Sequence, residues 1–207
     1  MLITKPEKKI FVAITGASGS IYAETLVKEL LTRVDRIYLC SSLTGKKVLH
    51  YELENTDKSF SLKKAMSGKL TEEEKKIIRI FDHGDYFAPC ASGTASSDQM
   101  VVLPCSMGTL ARIATGISSN LIERTADVML KQKKNLVLCP RETPLNRIHL
   151  KNMLELSEMG AHIVPAMPGF YQKPKNIDDL VNFMVGRVLE TLGFEHELYT
   201  PWAESRL

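Results

Sequence analysis

The sequence predicts an α/β protein: a three-layer Rossmann-like (flavodoxin-like) sandwich built on a mostly parallel sheet. Two observations carry this. Short apolar runs alternate with stretches of helical periodicity along the whole chain, as repeated β–α units require. Three of those runs also end in short polar turns. Ligands bind at the carboxyl ends of the strands in an open parallel sheet, so these turns should line one crevice.

Each element follows in order. Ile10 to Thr15 reads as the first strand and runs into Gly16-Ala17-Ser18-Gly19. Ile21, Leu26, Val27, Leu30 and Leu31 then recur at helical spacing. Arg36 to Cys40 is a buried second strand ending at Ser41-Ser42, and a helix from Thr44 to about Leu53 ends near Asn55. Thr71-Glu72-Glu73-Glu74 forms a capping box that opens a short helix, and Ile77 to Phe81 is a short strand. Asp85 to Ser97 is small, polar or proline apart from Tyr86 and Phe87, which makes it a long loop of the kind that carries function.

Alternation resumes at Met100 to Leu103, a strand that runs into Pro104-Cys105-Ser106-Met107-Gly108-Thr109. Ser106 to Thr115 reads as a helix. Asn120 opens another from Leu121 to Lys133, with lysines at the end that the helix dipole favours. Strand Asn135 to Leu138 leads into Cys139-Pro140-Arg141-Glu142-Thr143, then a helix from about Asn146 to Met159 stops at Gly160. Ala161 to Pro165 is a further strand, and Ile177 to Leu192 is the last helix, capped by Asn176. The whole chain, 1–207, reads as a single domain, with 195–207, including Tyr199-Thr200-Pro201 and Trp202, as a C-terminal arm.

Composition excludes several classes. The net charge of +3 is small, and Lys8-Lys9 and Lys131 to Lys134 are only short basic clusters, so nucleic acid is not an expected partner. No apolar run reaches the roughly 18 residues a membrane helix needs, and Met1 to Lys9 lacks the pattern of a signal peptide. The expectation is a cytoplasmic protein with no membrane contact. Cys40, Cys90, Cys105 and Cys139 form no CxxC pair and are expected to stay reduced; a catalytic thiol at Cys105 has no partnered histidine nearby in sequence. The five histidines lack the i, i+4 spacing of a helical zinc site, and Asp178-Asp179 lies where it complements a helix dipole. No metal is expected.

The candidate site lies in the turns. Gly16-Ala17-Ser18-Gly19 keeps the later half of a dinucleotide fingerprint, because Ile14 and Thr15 replace the earlier glycine. Tight packing alone explains such a turn. Two features favour a ligand: Ser18 adds a hydroxyl at a helix start, and the second strand ends in Ser41-Ser42 where a dinucleotide site places an acid on the ribose. The absence of that acid points away from a dinucleotide and toward a mononucleotide phosphate. Ser106-Met107-Gly108-Thr109 is a second cradle; N-capping accounts for Ser106 but not for Thr109 as well. Arg141-Glu142, stiffened by Pro140 and Pro144, sets a cation beside a carboxylate, with a solvated ion pair as the alternative. Tyr171 and Arg187, taken alone, read as a core aromatic and an exposed helix cation.

Taken together, Thr15-Gly-Ala-Ser-Gly-Ser-Ile-Tyr22, Ala91-Ser-Gly-Thr94, Leu103-Pro-Cys-Ser-Met-Gly-Thr-Leu110, Asn120-Leu-Ile-Glu-Arg-Thr-Ala-Asp-Val128, Pro140-Arg-Glu-Thr-Pro144 and Pro168-Gly-Phe-Tyr171 resemble the flavin prenyltransferase family of the UbiX type, within the flavin-binding Cys-decarboxylase-like superfamily. The resemblance implies transfer of a dimethylallyl group from dimethylallyl monophosphate to N5 and C6 of reduced FMN. The product would be prenylated FMN, supplied to UbiD-type decarboxylases. It implies that Gly16, Ala17 and Ser18 hold FMN, with Ser42, Ser106, Met107, Gly108 and Thr109 around its phosphate and ribityl chain and Arg141 in contact with it. Lys131, Arg141, Tyr171 and Arg187 would surround the dimethylallyl phosphate, with Arg124 also on the substrate side. Tyr86 and Ser92 would line the allyl pocket; Tyr86 stands where some members have tryptophan. Glu142 and Glu52 would handle protons, with Ser18 and Lys131 completing the catalytic set.

The implied chemistry suits these residue types. Negative charge grows on the departing phosphate and must be stabilised; arginine offers a bidentate contact and lysine a point charge. The chain has none of the aspartate-rich motifs that recruit magnesium to an allylic diphosphate, so the reaction is expected to need no metal. The family also implies a homo-oligomer, a dodecamer, with sites at subunit boundaries. The alternatives are a flavin-dependent decarboxylase of the same superfamily and a non-catalytic FMN carrier. A peptidyl-cysteine decarboxylase is expected to place a histidine in the first helix, and Ser20 to Thr32 contains none.

Overall fold

The computed structural model describes residues 7–53 and 71–200. Six strands form one sheet: β1 (Lys9–Ile14), β2 (Arg36–Ser41), β3 (Ile78–Phe81), β4 (Gln99–Cys105), β5 (Asn135–Pro140) and β6 (His162–Ile163). Their order is β3-β2-β1-β4-β5-β6 and every neighbouring pair is parallel. Of the two common doubly wound orders this is the Rossmann one, and it reverses direction between β1 and β4, where such sheets open their ligand crevice.

The four central strands, β2, β1, β4 and β5, are buried on both faces, as a sheet covered by helices on each side demands. Side chains alternate along β1. Ile10, Val12 and Ile14 join a core with Leu26, Leu30, Val185 and Leu189 on one face. Phe11 and Ala13 join Met100, Leu121, Met129 and Leu138 on the other. Helices α1 (Ser20–Leu30) and α7 (Ile177–Thr191) cover the first face, and α4 (Met107–Ala114) and α5 (Leu121–Lys131) cover the second. The remaining helices are α2 (Leu43–Glu52), α3 (Glu72–Ile77) and α6 (Arg147–Glu158), and a single 3₁₀ turn spans Pro89–Ala91 in the loop after β3.

Helix starts follow side-chain chemistry closely. Ser42, Thr71, Ser106, Asn120, Asn146 and Asn176 each accept an N–H from the third helical residue, which satisfies one of the donors a helix start leaves open. The expected capping box of Thr71 and Glu74 is present.

Two strands run past their expected ends. β4 reaches Cys105 and β5 reaches Pro140, because Cys105 and Pro140 pair across a register shift that follows Val102. β6 is shorter than Ala161 to Pro165. The chain stays extended, with Val164 N–H on Leu138 O and Ala166 N–H on Pro140 O, but Pro165 between them has no N–H to give. The expected helix end near Asn55 and the Pro201-Trp202 part of the arm lie outside the described residues. No described helix is long and apolar enough to cross a membrane.

Candidate functional site

Four turns stand side by side at the carboxyl edge of the sheet, following β2, β1, β4 and β5. They bring together Ser42, Gly16 to Ser18, Ser106 to Thr109, and Arg141. Thr15 holds the centre. Its buried hydroxyl donates to Pro104 O at 2.8 Å and accepts Ser106 N–H at 2.7 Å, and its own N–H bonds Pro104 O at 3.2 Å. The turns after β1 and β4 are thereby fixed to each other across the switch point.

Ser106 accepts the N–H of Thr109 at 3.3 Å and donates to the Thr109 hydroxyl at 3.1 Å, so both cradle hydroxyls are oriented. Arg112, one turn on, donates to the Thr109 hydroxyl at 3.3 Å and pairs with Glu123. The Glu123 side chain is fully buried; burial opposes its charge, but Arg112 and the Ser119 N–H and hydroxyl hold its pKa below the ordinary carboxylate value. On the other flank, Ser42 caps α2, and Gly45 packs so tightly that a Cβ there would stand 2.6 Å from Ile14 O. Arg141 reaches back over the crevice, donating from Nε to Ser18 O at 3.3 Å. Among the described residues it has no carboxylate partner, and Glu142 instead accepts the N–H of Thr143. The expected alternative of an Arg141–Glu142 ion pair is not what forms.

Glu52 corrects one expectation. The start of α1 is not open to an external anion: Gly19, its N-cap, offers no side chain, and the Glu52 carboxylate takes the N–H groups of Gly19 at 3.0 Å and Ser20 at 2.7 Å. Burial raises the Glu52 pKa, but hydrogen bonds from the Ser18 hydroxyl and these N–H groups outweigh it and lower the pKa overall. Glu52 is therefore an ionised acceptor that touches Ser18, not a proton donor at neutral pH. The start of α4, by contrast, carries the hydroxyls of Ser106 and Thr109 and no carboxylate on its N–H groups among the described residues.

The implied substrate residues divide into groups. Arg124, in α5, donates from Nε to Ala91 O at 3.1 Å, beside exposed Ser92, and the Tyr86 hydroxyl donates to Ser118 O at 3.3 Å, so the loop that carries Tyr86 and Ser92 packs on the start of α5, where Arg124 stands. Lys131 ends α5 and lies four residues before Asn135, at the amino end of β5. Arg141 follows the other end of that strand, about 20 Å away at 3.3 Å per residue. Arg187 also lies toward the amino edge: it is in the last third of α7, whose end is tied to the starts of β5 and β4 by Asn135 on Thr191 O and Gln99 on Leu192 O. Tyr171 packs edge-to-face on Phe183 of the same helix. A single chain thus does not gather Lys131, Arg141, Tyr171 and Arg187 around one phosphate.

The cysteines are free and buried. Burial pushes Cys105 and Cys40 up to about 12 and Cys90 to about 11, so Cys105 is no nucleophile at neutral pH. No group of three metal-ligating side chains occurs among the described residues. Sequence reasoning missed Thr15, Arg112 and Glu123. Their only local signals are a hydroxyl in place of a fingerprint glycine and an acid in the first turn of α5.

A family model described as Flavoprotein matches residues 3–189. The chain is 50% identical over 200 residues to a flavin prenyltransferase UbiX of Alkalihalophilus pseudofirmus, covering 96% of this chain and 98% of that one. Among solved structures it resembles a dodecameric FMN-dependent UbiX-like decarboxylase from Escherichia coli O157:H7, with 37% identity, a TM-score of 0.81, and 94% and 98% of the two chains covered. It also resembles AnUbiX in complex with FMN and dimethylallyl pyrophosphate, at 36% identity and a TM-score of 0.78 over 95% and 100% of the two chains.

Proposed function

We propose, from the premise that this chain belongs to the flavoprotein family and within it to the UbiX-type flavin prenyltransferases, that it joins the dimethylallyl group of dimethylallyl monophosphate to N5 and C6 of reduced FMN without a metal ion. The chain is a prenyltransferase, and its fold is the family's. What carries the finer reading is the row of four turns. It combines a doubly oriented hydroxyl cradle at the start of α4, the Ser42 hydroxyl and the Arg141 guanidinium, and it has no acid at the end of β2 to select a dinucleotide ribose. This donor set fits the phosphate and ribityl chain of FMN, with Gly16, Ala17 and Met107 shaping the floor.

When bound in its reduced form, FMN supplies the nucleophilic atoms. The protein binds, orients and moves protons. Arg141, reaching across from β5, suits an anion shared between flavin and leaving group. Glu142, exposed beside it, suits proton transfer. Ser18 is held by the ionised Glu52 and can pass a proton to it.

The separation of Lys131 and Arg187 from Arg141 supports sites completed by neighbouring copies. Solvent-facing apolar side chains such as Phe87, fully exposed, and Phe170, 69% exposed, support a homo-oligomer, and the E. coli relative is a dodecamer. Prenylated FMN would then pass to a UbiD-type decarboxylase. The test is to mix the protein anaerobically with chelator, reduced FMN and dimethylallyl monophosphate. The flavin should gain the mass of one prenyl unit; no gain, or a gain only after magnesium is restored, overturns the proposal.

A further inference from the structure

Helix α7 carries a glycine in its interior, Gly186, where alanine would be better by about 1 kcal/mol on propensity alone. The residues after the helix explain it. The rings of Tyr199 and His196 press onto that position, and a Cβ there would stand 2.7 Å from His196 Cε1 and closer still to Tyr199 Cε1. Gly186 is a notch that seats the segment 194–199 against the helix, directly beside Arg187.

Three further contacts converge on the same spot. The Glu190 carboxylate pairs with Arg187 through one oxygen, and its other oxygen accepts the Tyr199 hydroxyl and lies 3.3 Å from His196 Nε2. Tyr199 packs on Phe183, ring centroids 5.1 Å apart, and Phe183 packs edge-to-face on Tyr171 at 5.5 Å. Tyr171 and Arg187 are therefore mounted on one scaffold: Glu190 and Tyr199 behind the guanidinium, and the Phe183 ring between the two tyrosines. Glu190 engages one nitrogen, Nη1, of a group with five N–H donors, so N–H groups remain to grip an oxyanion.

We propose that Tyr199 and Glu190, seated by the Gly186 notch, are positioning residues that aim Arg187, and through Phe183 also Tyr171, at the phosphate of the allylic substrate. This deepens the proposed function and rests on its assignment of Arg187 and Tyr171 to that phosphate. A loose arginine loses several rotors on binding; one already held by a carboxylate and a phenol loses fewer, which favours substrate binding without touching the flavin.

The test uses the full chain and dimethylallyl monophosphate as the probe. It measures the Kd of the probe calorimetrically on protein loaded with oxidised FMN, the KM and kcat with reduced FMN, and the FMN Kd by fluorescence. Tyr199→Phe, which keeps the ring, and Gly186→Ala should each weaken probe binding and raise KM about tenfold, with the FMN Kd unchanged. In an Arg187→Ala background, Tyr199→Phe should add almost nothing, because the two act through one contact. Unchanged probe affinity in Tyr199→Phe, or full additivity with Arg187→Ala, overturns the inference. If Arg187→Ala alone leaves KM unchanged, the assignment of Arg187 to the phosphate fails instead, and the two failures are thereby told apart. Should Gly186→Ala lose the fold, Tyr199→Phe decides the matter.

Discussion

The Thr15 hydroxyl accepts the backbone N–H of Ser106 at 2.7 Å across 91 residues of sequence, and this bond sets where the first strand's turn meets the fourth's. Without it, the start of α4 would not be locked to the glycine turn. Thr15→Val keeps the shape and removes the hydroxyl, leaving a buried N–H and a carbonyl short of a partner. We expect a loss of about 1–3 kcal/mol in urea unfolding, together with weaker FMN binding.

Glu52 ties α2 to α1, and its pKa is lowered in the folded state. A depressed carboxylate stabilises the fold above its unfolded pKa of about 4.3. That contribution disappears as pH falls through the lower folded value. Glu52→Gln should therefore reduce stability near neutrality and flatten its decline in acid. Parallel Tm-versus-pH curves for the two proteins would contradict the assignment.

Arg112 neutralises a buried carboxylate while orienting the Thr109 hydroxyl. Breaking a fully buried pair costs about 3–5 kcal/mol. The Arg112 side chain is 43% exposed, so Arg112→Ala should cost less, about 2 kcal/mol by the same principle. The double variant Arg112→Ala, Glu123→Gln should recover part of the loss, since no charge is then left unpaired. Chemical denaturation of the three variants measures this.

Gly45 has room for nothing larger. Its substitution by alanine would drive a Cβ to 2.6 Å from Ile14 O and 2.8 Å from Ser41 Oγ, forcing α2 away from the end of β1. The expected cost is about 1–3 kcal/mol, and Ser42 would shift with the helix. Thermal unfolding and FMN titration should both register it.

Arg141→Lys keeps the charge but removes the fork that bonds Ser18 O and faces the crevice. FMN affinity should fall about tenfold or more. Riboflavin, which has no phosphate, should be affected much less. Equal losses for the two flavins would place Arg141 away from the phosphate.

Much of this protein is written locally. The helix starts at Thr71, Ser106, Asn120, Asn146 and Asn176 could be read because these side chains act on N–H groups three residues away, a distance at which sequence and space nearly coincide, whereas the Ser42 cap, one residue ahead of a helix expected from Thr44, was not. The strand ends were harder. β4 and β5 lengthen each other through the Cys105–Pro140 pair, and β6 ends early at a proline beside an edge, neither of which periodicity records.

The candidate site divides the same way. Gly16 to Ser18, Ser106 to Thr109 and Arg141 could be singled out as turns after strands, because alternation of apolar and polar residues marks where a strand stops. Their adjacency could not, since the order of strands in a sheet is fixed by pairing between segments far apart in the chain. Nor could the fate of the α1 start, which Glu52 fills from 33 residues away. By itself, then, the sequence determined the α/β alternation, the caps and the residue types in each turn, all consequences of short-range backbone geometry and burial. Tertiary packing alone decided which turns share the crevice, which carboxylate stays ionised, and that Lys131 and Arg187 stand at the far edge of the sheet from Arg141, because the direction in which a helix returns along the sheet is a property of the assembled layers.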